Sequence, residues 1–170
     1  YQSTYAGGIL DTYIVKFRYT GQREWATYYG GNGDDYTSKI TVTGQGLIYI
    51  GGYTTSNTGI ASGNSFNSIY KGPISNGFLA CFSSSGTFNW STYLGESIST
   101  CQVDLSDNVY VTGYNDLYNN IGTPGTYISS ASFSNRMFLA KFDNAGNRIW
   151  GTYLPIDIKC LYIKSNSEIL

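Results

Sequence analysis

The sequence contains no histidine. That one absence removes imidazole general bases, Ser-His-Asp and Cys-His nucleophile pairs, and His-ligated zinc. Cysteine is nearly as scarce: Cys81, Cys101 and Cys160 are the only three, and none stands in a Cys-x-x-Cys spacing. They can build neither a thiolate zinc cluster nor a dense disulfide framework. Charged residues fill 12% of the 170 positions, about half of the usual share of about 25%. A formal charge of −1 excludes the broad basic surface that attracts nucleic acids and anionic lipids. No apolar run approaches the ~20 residues that a membrane-spanning helix needs. Proline occurs 3 times beside 21 glycines, which fits neither collagen nor a proline-rich linker. The chain opens Tyr1-Gln2-Ser3 without a basic-then-apolar leader, so it reads as a processed or excerpted segment.

Aromatic residues are abundant: 17 tyrosines, 8 phenylalanines and 3 tryptophans make 16% of the chain, which argues against disorder. They also recur. The unit Phe-x3-Gly-x3-Trp appears at Phe17, Gly21 and Trp25, at Phe82, Gly86 and Trp90, and at Phe142, Gly146 and Trp150. Successive tryptophans are 65 and 60 residues apart. Each opens a similar run: Trp25-Ala26-Thr27-Tyr28, Trp90-Ser91-Thr92-Tyr93 and Trp150-Gly151-Thr152-Tyr153. A second landmark agrees, because Tyr53, Ile60 and Phe66 share their spacing with Tyr114, Ile121 and Tyr127.

Every unit reads as strand. Tyr13, Val15 and Phe17 alternate with Ile14 and Lys16; Phe78, Ala80 and Phe82 with Leu79 and Cys81; Phe138, Ala140 and Phe142 with Leu139 and Lys141. The glycine shared by the turns after these strands predicts a tight hairpin whose last residue has φ > 0. A second hairpin is predicted from Lys39 to Tyr53 through Thr43-Gly44-Gln45-Gly46, and from Thr100 to Tyr114 through Asp104-Leu105-Ser106-Asp107-Asn108. No stretch holds a 3.6-residue apolar period, so no helix of consequence is expected. Four short antiparallel strands per repeat describe an all-β fold, a β-propeller built from four-stranded blades, with a β-sandwich as runner-up. The units divide as 1–65, 66–126 and a truncated 127–170. Roughly 2.7 units fall short of the 4 to 8 blades of a closed ring, so the chain reads as part of a larger ring whose further blades cover its end faces.

At these residues the sequence resembles the bacterial SBBP beta-propeller repeat. The likeness rests on Tyr13-Ile14-Val15-Lys16-Phe17, Trp25-Ala26-Thr27-Tyr28-Tyr29-Gly30-Gly31 and Leu47-Ile48-Tyr49-Ile50-Gly51-Gly52-Tyr53, and again on Trp90 to Gly95 and Asn108 to Tyr114. It departs at Cys81, where the other units have lysine, at Pro155 for glycine, and at Asn76-Gly77 for an aspartate. Thr58-Gly59-Ile60-Ala61-Ser62 further resembles versions in large surface proteins of gliding bacteria exported by type IX secretion. The resemblance implies an extracellular, cell-surface home and carries no catalytic residue and no cofactor to transfer.

Several residues invite a functional reading and receive a structural one. Gly30-Gly31-Asn32-Gly33-Asp34-Asp35 matches a glycine-rich calcium loop, but it occurs once and supplies too few oxygens for about six to eight ligands, so an interstrand turn is expected. Asp34 and Asp35 are strand neighbours that point to opposite faces, not a catalytic pair. Asp104, Asp107 and Asp143 stand in turns, where aspartate bonds its own backbone. Cys101 aligns with Ile40 at an inward-facing position, with Cys160 within a residue of the same site. Cys81, in the lysine slot, is expected to be partly exposed, with no activating base beside it. Asn89-Trp90-Ser91 fits a glycosylation triplet but lies in a predicted strand. Trp25, Trp90 and Trp150 are expected in blade cores. No catalytic residue, metal ligand or cofactor is assigned, and ligand-binding residues are left unknown.

Three functions remain. The first is a non-enzymatic scaffold, adhesion or interaction module of a secreted or cell-surface protein, partnered by further blades and by a surface protein, a secretion-machinery protein or a glycan. The second is a carbohydrate- or peptide-binding propeller using loops 54–64 and 115–124, which exposed aromatics such as Tyr118 clustered at one ring mouth would favour. The third is an enzyme whose site lies in other blades.

Overall fold

The computed structural model describes every residue except Asn64, Asp116, Asn135, Lys159, Asn166 and Ser167. The predicted alternation becomes ten strands: β1 (Thr12–Phe17), β2 (Arg23–Tyr29), β3 (Asp35–Val42), β4 (Ile48–Thr54), β5 (Asn76–Phe82), β6 (Phe88–Tyr93), β7 (Ser97–Val103), β8 (Val109–Tyr114), β9 (Met137–Phe142) and β10 (Arg148–Leu154). No helix occurs among the described residues. The strands form three antiparallel sheets, β1-β2, β3-β4-β5-β6 and β7-β8-β9-β10, each a sequential meander. They follow one another in a row, unlike the two facing sheets of a sandwich.

The sheets are out of phase with the sequence units. Each four-stranded sheet takes β3-β4 or β7-β8 from one unit and β5-β6 or β9-β10 from the next. A sequence period has no intrinsic starting point, whereas ladder hydrogen bonds close β4 onto β5 and β8 onto β9 across loops 55–75 and 115–136.

Turn chemistry follows the sequence. Gly21, Gly86 and Gly146 all have positive φ (82°, 82° and 88°). Each donates its N–H to the first turn carbonyl: Arg18, Ser83 and Asp143, at 2.9–3.1 Å. A bulge follows at the strand ends, as expected when the third residue of a short hairpin is left-handed.

Alternation then assigns each strand's two faces to two different neighbours. Phe78, Ala80 and Phe82 of β5 pack toward the first sheet with Ile14, Tyr29, Ile48 and Ile50. Leu79 and Cys81 face the third sheet, where Val109, Val111, Phe138, Ala140 and Phe142 meet them. The far side of the third sheet, with Tyr110 and Leu139, is covered by Leu161, Ile163 and Ile169. Beneath the second interface Ser38 of β3 donates its hydroxyl to the Ile98 carbonyl of β7 (2.6 Å).

Two expectations are corrected. Cys81 is fully buried, not partly exposed. Its lysine counterpart Lys141 directs its ammonium to Asp104 (3.1 Å), whereas Cys81 sits in the cluster that contains Tyr49 and Trp90. Ile40 is 57% exposed although Cys101 at the same place is buried, because β3 and β4 cover β7 and nothing among the described residues covers β3 in that way.

Candidate functional site

The tryptophans of β2 and β6 reach into the following sheet. Trp25 of β2 donates its indole N–H to the Ser84 carbonyl in the β5–β6 turn (3.0 Å). Trp90 of β6 donates to the Asn144 carbonyl in the β9–β10 turn (2.9 Å). Ser84 and Asn144 stand two residues before Gly86 and Gly146. A Cβ on Gly86 would lie 2.9 Å from the Trp25 ring, and one on Gly146 would lie 2.7 Å from the Trp90 ring. The turn glycine therefore does two things: it adopts φ > 0 and it leaves room for the neighbouring indole. Trp150 packs edge-on against Tyr110 (6.1 Å between centroids), and among the described residues its N–H has no acceptor.

A second contact recurs in all three sheets, and sequence reasoning missed it. Thr27 Oγ1 accepts from the Gln2 N–H (2.8 Å) and donates to its carbonyl (3.2 Å). Thr92 does the same with Asn67 (2.9 and 3.2 Å), and Thr152 with Ile128 (2.9 and 3.2 Å). The next backbone N–H, of Tyr28, Tyr93 or Tyr153, donates to the same carbonyl at 2.8–3.0 Å. One buried hydroxyl thus clasps the segment that precedes each outer hairpin. The signal was the invariant threonine two places after each tryptophan.

Each loop proposed for ligand binding sends an isoleucine and backbone groups inward. In loop 54–64, Ile60 is buried and its carbonyl accepts from Tyr29 (3.1 Å) and from Ser91, while the Ser56 carbonyl accepts from Tyr93 (2.9 Å). In loop 115–124, Ile121 is buried, its N–H donates to the Tyr153 phenol (2.8 Å), and that phenol donates to the Asn119 carbonyl (3.1 Å). Asn64 and Asp116, within these loops, lie outside the described residues. Tyr118 is exposed beside Pro73 and Ile74 in a cleft of about 170 Å³ that no second aromatic lines among the described residues.

The glycine-rich loop is a hydrogen-bonded corner. Asp35 accepts from Gly31 N (2.8 Å), Ser56 Oγ (2.9 Å) and Thr54 Oγ1, and Asp34 accepts from Ile9 N (2.5 Å) and Leu10 N (3.3 Å). Burial pushes the Asp35 carboxyl above its ordinary range, against the opposing pull of the Thr54, Gly31 and Ser56 hydrogen bonds. Among the described residues no group of three or more His, Cys, Asp or Glu is placed to hold a metal ion. Asp104 and Asp143 cap their own turns, accepting from Ser106 N and Asn108 N (2.9 and 3.0 Å) and from Ala145 N and Asn147 N (3.0 and 2.8 Å). Burial alone would raise the Asp104 carboxyl, but hydrogen bonds from Asn108, Lys141 and Ser106 outweigh it and hold the group below its usual range. Asp107 supplies the left-handed turn residue (φ 61°), and its carbonyl accepts from Tyr49 (3.0 Å).

Burial pushes the Cys81 thiol up to about 11 and the Cys101 thiol up to about 12. Neither is a thiolate nucleophile at neutral pH. Cys160 is exposed, and its neighbour Leu161 takes the inward position. Asn89 stays in its strand, with its amide 3.7 Å from the Cys81 sulfur.

No family model matches the chain. It is similar to an uncharacterized WD repeat-containing protein of Acanthamoeba polyphaga mimivirus, 26% identical over 167 residues, which is 86% of this chain and 12% of that protein. The chain thus spans about an eighth of the relative's length. It lacks the Trp-Asp dipeptide of WD repeats, and its periods of 65 and 60 residues exceed the ~40–45 of such repeats. What the two share is consistent with blades of a repeat β-propeller, the all-β class to which these meandering sheets conform.

Proposed function

We propose that this chain is a non-catalytic repeat module of the β-propeller type that acts as a scaffold or adhesion element by packing and presenting sheets. One observation carries the reading. The groups that the repeats share, namely the indole, the turn glycine, the threonine hydroxyl and the outer-strand tyrosines, engage neighbouring sheets and loops. The similarity to a WD repeat-containing protein supports an interaction role. Its first partners are sheets of its own kind, and beyond them a surface protein, a secretion-machinery protein or a glycan. The SBBP-like motifs support an extracellular home at a bacterial cell surface, reached by type IX secretion.

Surface labelling of intact cells that make the parent protein, with an antibody to this chain, tests the reading. Labelling before lysis is expected, and labelling only after lysis would overturn the extracellular assignment. Turnover by the purified chain on a panel of glycoside, ester and phosphate substrates would overturn the non-catalytic one. The glycan-binding alternative ranks second, since carbonyls and an N–H of loops 54–64 and 115–124 serve internal bonds and no second aromatic among the described residues lines the Tyr118 cleft.

A further inference from the structure

We propose that the cleft between the β9–β10 turn and the segment at Ser65-Phe66 binds the carboxylate of an acidic sugar, a uronate residue, through Arg148. The inference gives a chemistry to the glycan among the partners of the repeat module, and it rests on that reading.

The cleft holds about 320 Å³ and is lined by Ser65, Phe66, Gly146, Asn147 and Arg148. Its aromatic wall is anchored, since Phe66 meets Phe142 of β9 edge-on at 5.7 Å between centroids. The Arg148 guanidinium lies over the Phe66 ring, 4.5 Å from its centroid. Its Nη1 donates to the carbonyls of Asn120 (3.2 Å) and Ile121 (2.5 Å). The Nε and Nη2 N–H groups have no acceptor among the described residues, and no carboxylate among them pairs with the charge. Desolvation pushes the guanidinium below its ordinary value, and only the Tyr153 phenol opposes that shift.

The other sheet interface does the same structural work without a cation. There Tyr1 and Phe88 hold the places of Phe66 and Arg148, and their rings stack at 4.6 Å. Ser91, in the place of Gly151, donates its hydroxyl to the Ile60 carbonyl, as Arg148 does to that of Ile121. A ring and a hydroxyl suffice for packing. What Arg148 adds is a charge whose Nε–Nη2 edge matches the two oxygens of a carboxylate.

A second polar group on the cleft is also unused. Ser65 Oγ is buried and has no hydrogen-bond partner among the described residues. A carboxylate with hydroxyls beside it is the chemistry of a sugar acid. The volume stands at the small end of ligand sites, about 300–1,000 Å³, which suits one ring better than a length of peptide.

The test is an NMR titration of the isotope-labelled chain with glucuronate, glucose, a uronate oligosaccharide and a glutamate peptide, at equal ionic strength. Glucuronate should shift the Arg148 Nε–H and the Ser65, Gly146 and Asn147 amides, with half-saturation at about 1 mM, and glucose should not. An oligosaccharide that shifts the same signals at lower concentration makes a polysaccharide the source, and equal potency per residue makes it the free sugar acid. Arg148→Lys should weaken binding about tenfold, because an ammonium lacks the fork, and Ser65→Ala about fivefold. Arg148→Phe copies the ring pair of the other interface, so it should abolish binding while the Trp90 indole N–H keeps its slow exchange. Glucuronate binding that survives Arg148→Phe, or no shift in a folded native chain, would overturn the site and leave the repeat-module reading standing. A glutamate peptide that binds more tightly than glucuronate would overturn the sugar assignment. Absence of a cooperative β fold would overturn both readings.

Discussion

Strands β5 and β1 occupy the same place one repeat apart, and their fates differ. All seven residues of β5 are buried, whereas β1 buries Thr12 and Ile14 and leaves alternate aromatic and aliphatic side chains in solvent. The sequence pattern is nearly the same, apolar on both faces. A strand of that kind is not amphipathic, and it needs a sheet on each side. The contrast teaches that in this chain local pattern decides strand formation, while the neighbouring sheet decides burial.

Tryptophan substitutions should widen the contrast most. Trp90 is buried between two sheets and hydrogen-bonded, so Trp90→Ala should cost about 3–5 kcal/mol. Trp150, half-buried against the cluster of Tyr110, Leu139 and Leu161 and without the indole hydrogen bond, should cost about 1–2 kcal/mol when truncated. Urea midpoints at unchanged slope measure both. Equal losses would mean that the two indoles do not differ as described.

The turn glycines come next. Gly21→Ala carries only the left-handed backbone penalty, about 1 kcal/mol. Gly146→Ala adds a clash with the Trp90 ring and should cost about 2–4 kcal/mol. A smaller loss at Gly146 than at Gly21 would contradict the second role given to the turn glycine.

The threonine clasp should behave alike everywhere, because it is complete in all three sheets. Thr27→Val, Thr92→Val and Thr152→Val should each cost about 1–3 kcal/mol, with serine restoring most of the loss. Unequal losses would show that the clasp depends on the sheet behind it.

The smallest effects are electrostatic. The carboxyl of Asp104 titrates below its ordinary value, so its contribution is present above that value and is lost as pH falls through the lowered one. Asp35 titrates above its ordinary value, so its contribution is present at low pH and is lost as pH rises through the raised one. Asp104→Asn should flatten the acid limb of the stability profile, and Asp35→Asn should remove the decline on the other side. The same limbs in both variants would refute the assignment.

Much of the fold was legible because hairpins are local. The alternation of Phe78, Ala80 and Phe82 against Leu79 and Cys81, and the shared Gly21, Gly86 and Gly146, need only a pleat and a turn to interpret. Three things were not legible. Repeats carry no phase, so the closure of β4 onto β5 across loop 55–75 could not be located. Cys81 was read from the lysines at its aligned positions, but its burial depends on Tyr49 and Trp90 from other parts of the sheet. The indole contact joins residues 59 and 54 positions apart, and Phe-x3-Gly-x3-Trp, read as one hairpin, conceals that its glycine serves the tryptophan of the preceding sheet.

The most direct measurement is solvent exchange of the three indole N–H groups, resolved by NMR in dilute, monomeric chain. Trp25 and Trp90 should exchange slowly, because each donates to the turn of the following sheet, and Trp150 should exchange fast. Three equal rates, or slow exchange at Trp150 alone, would contradict side-by-side sheets locked by tryptophan and turn.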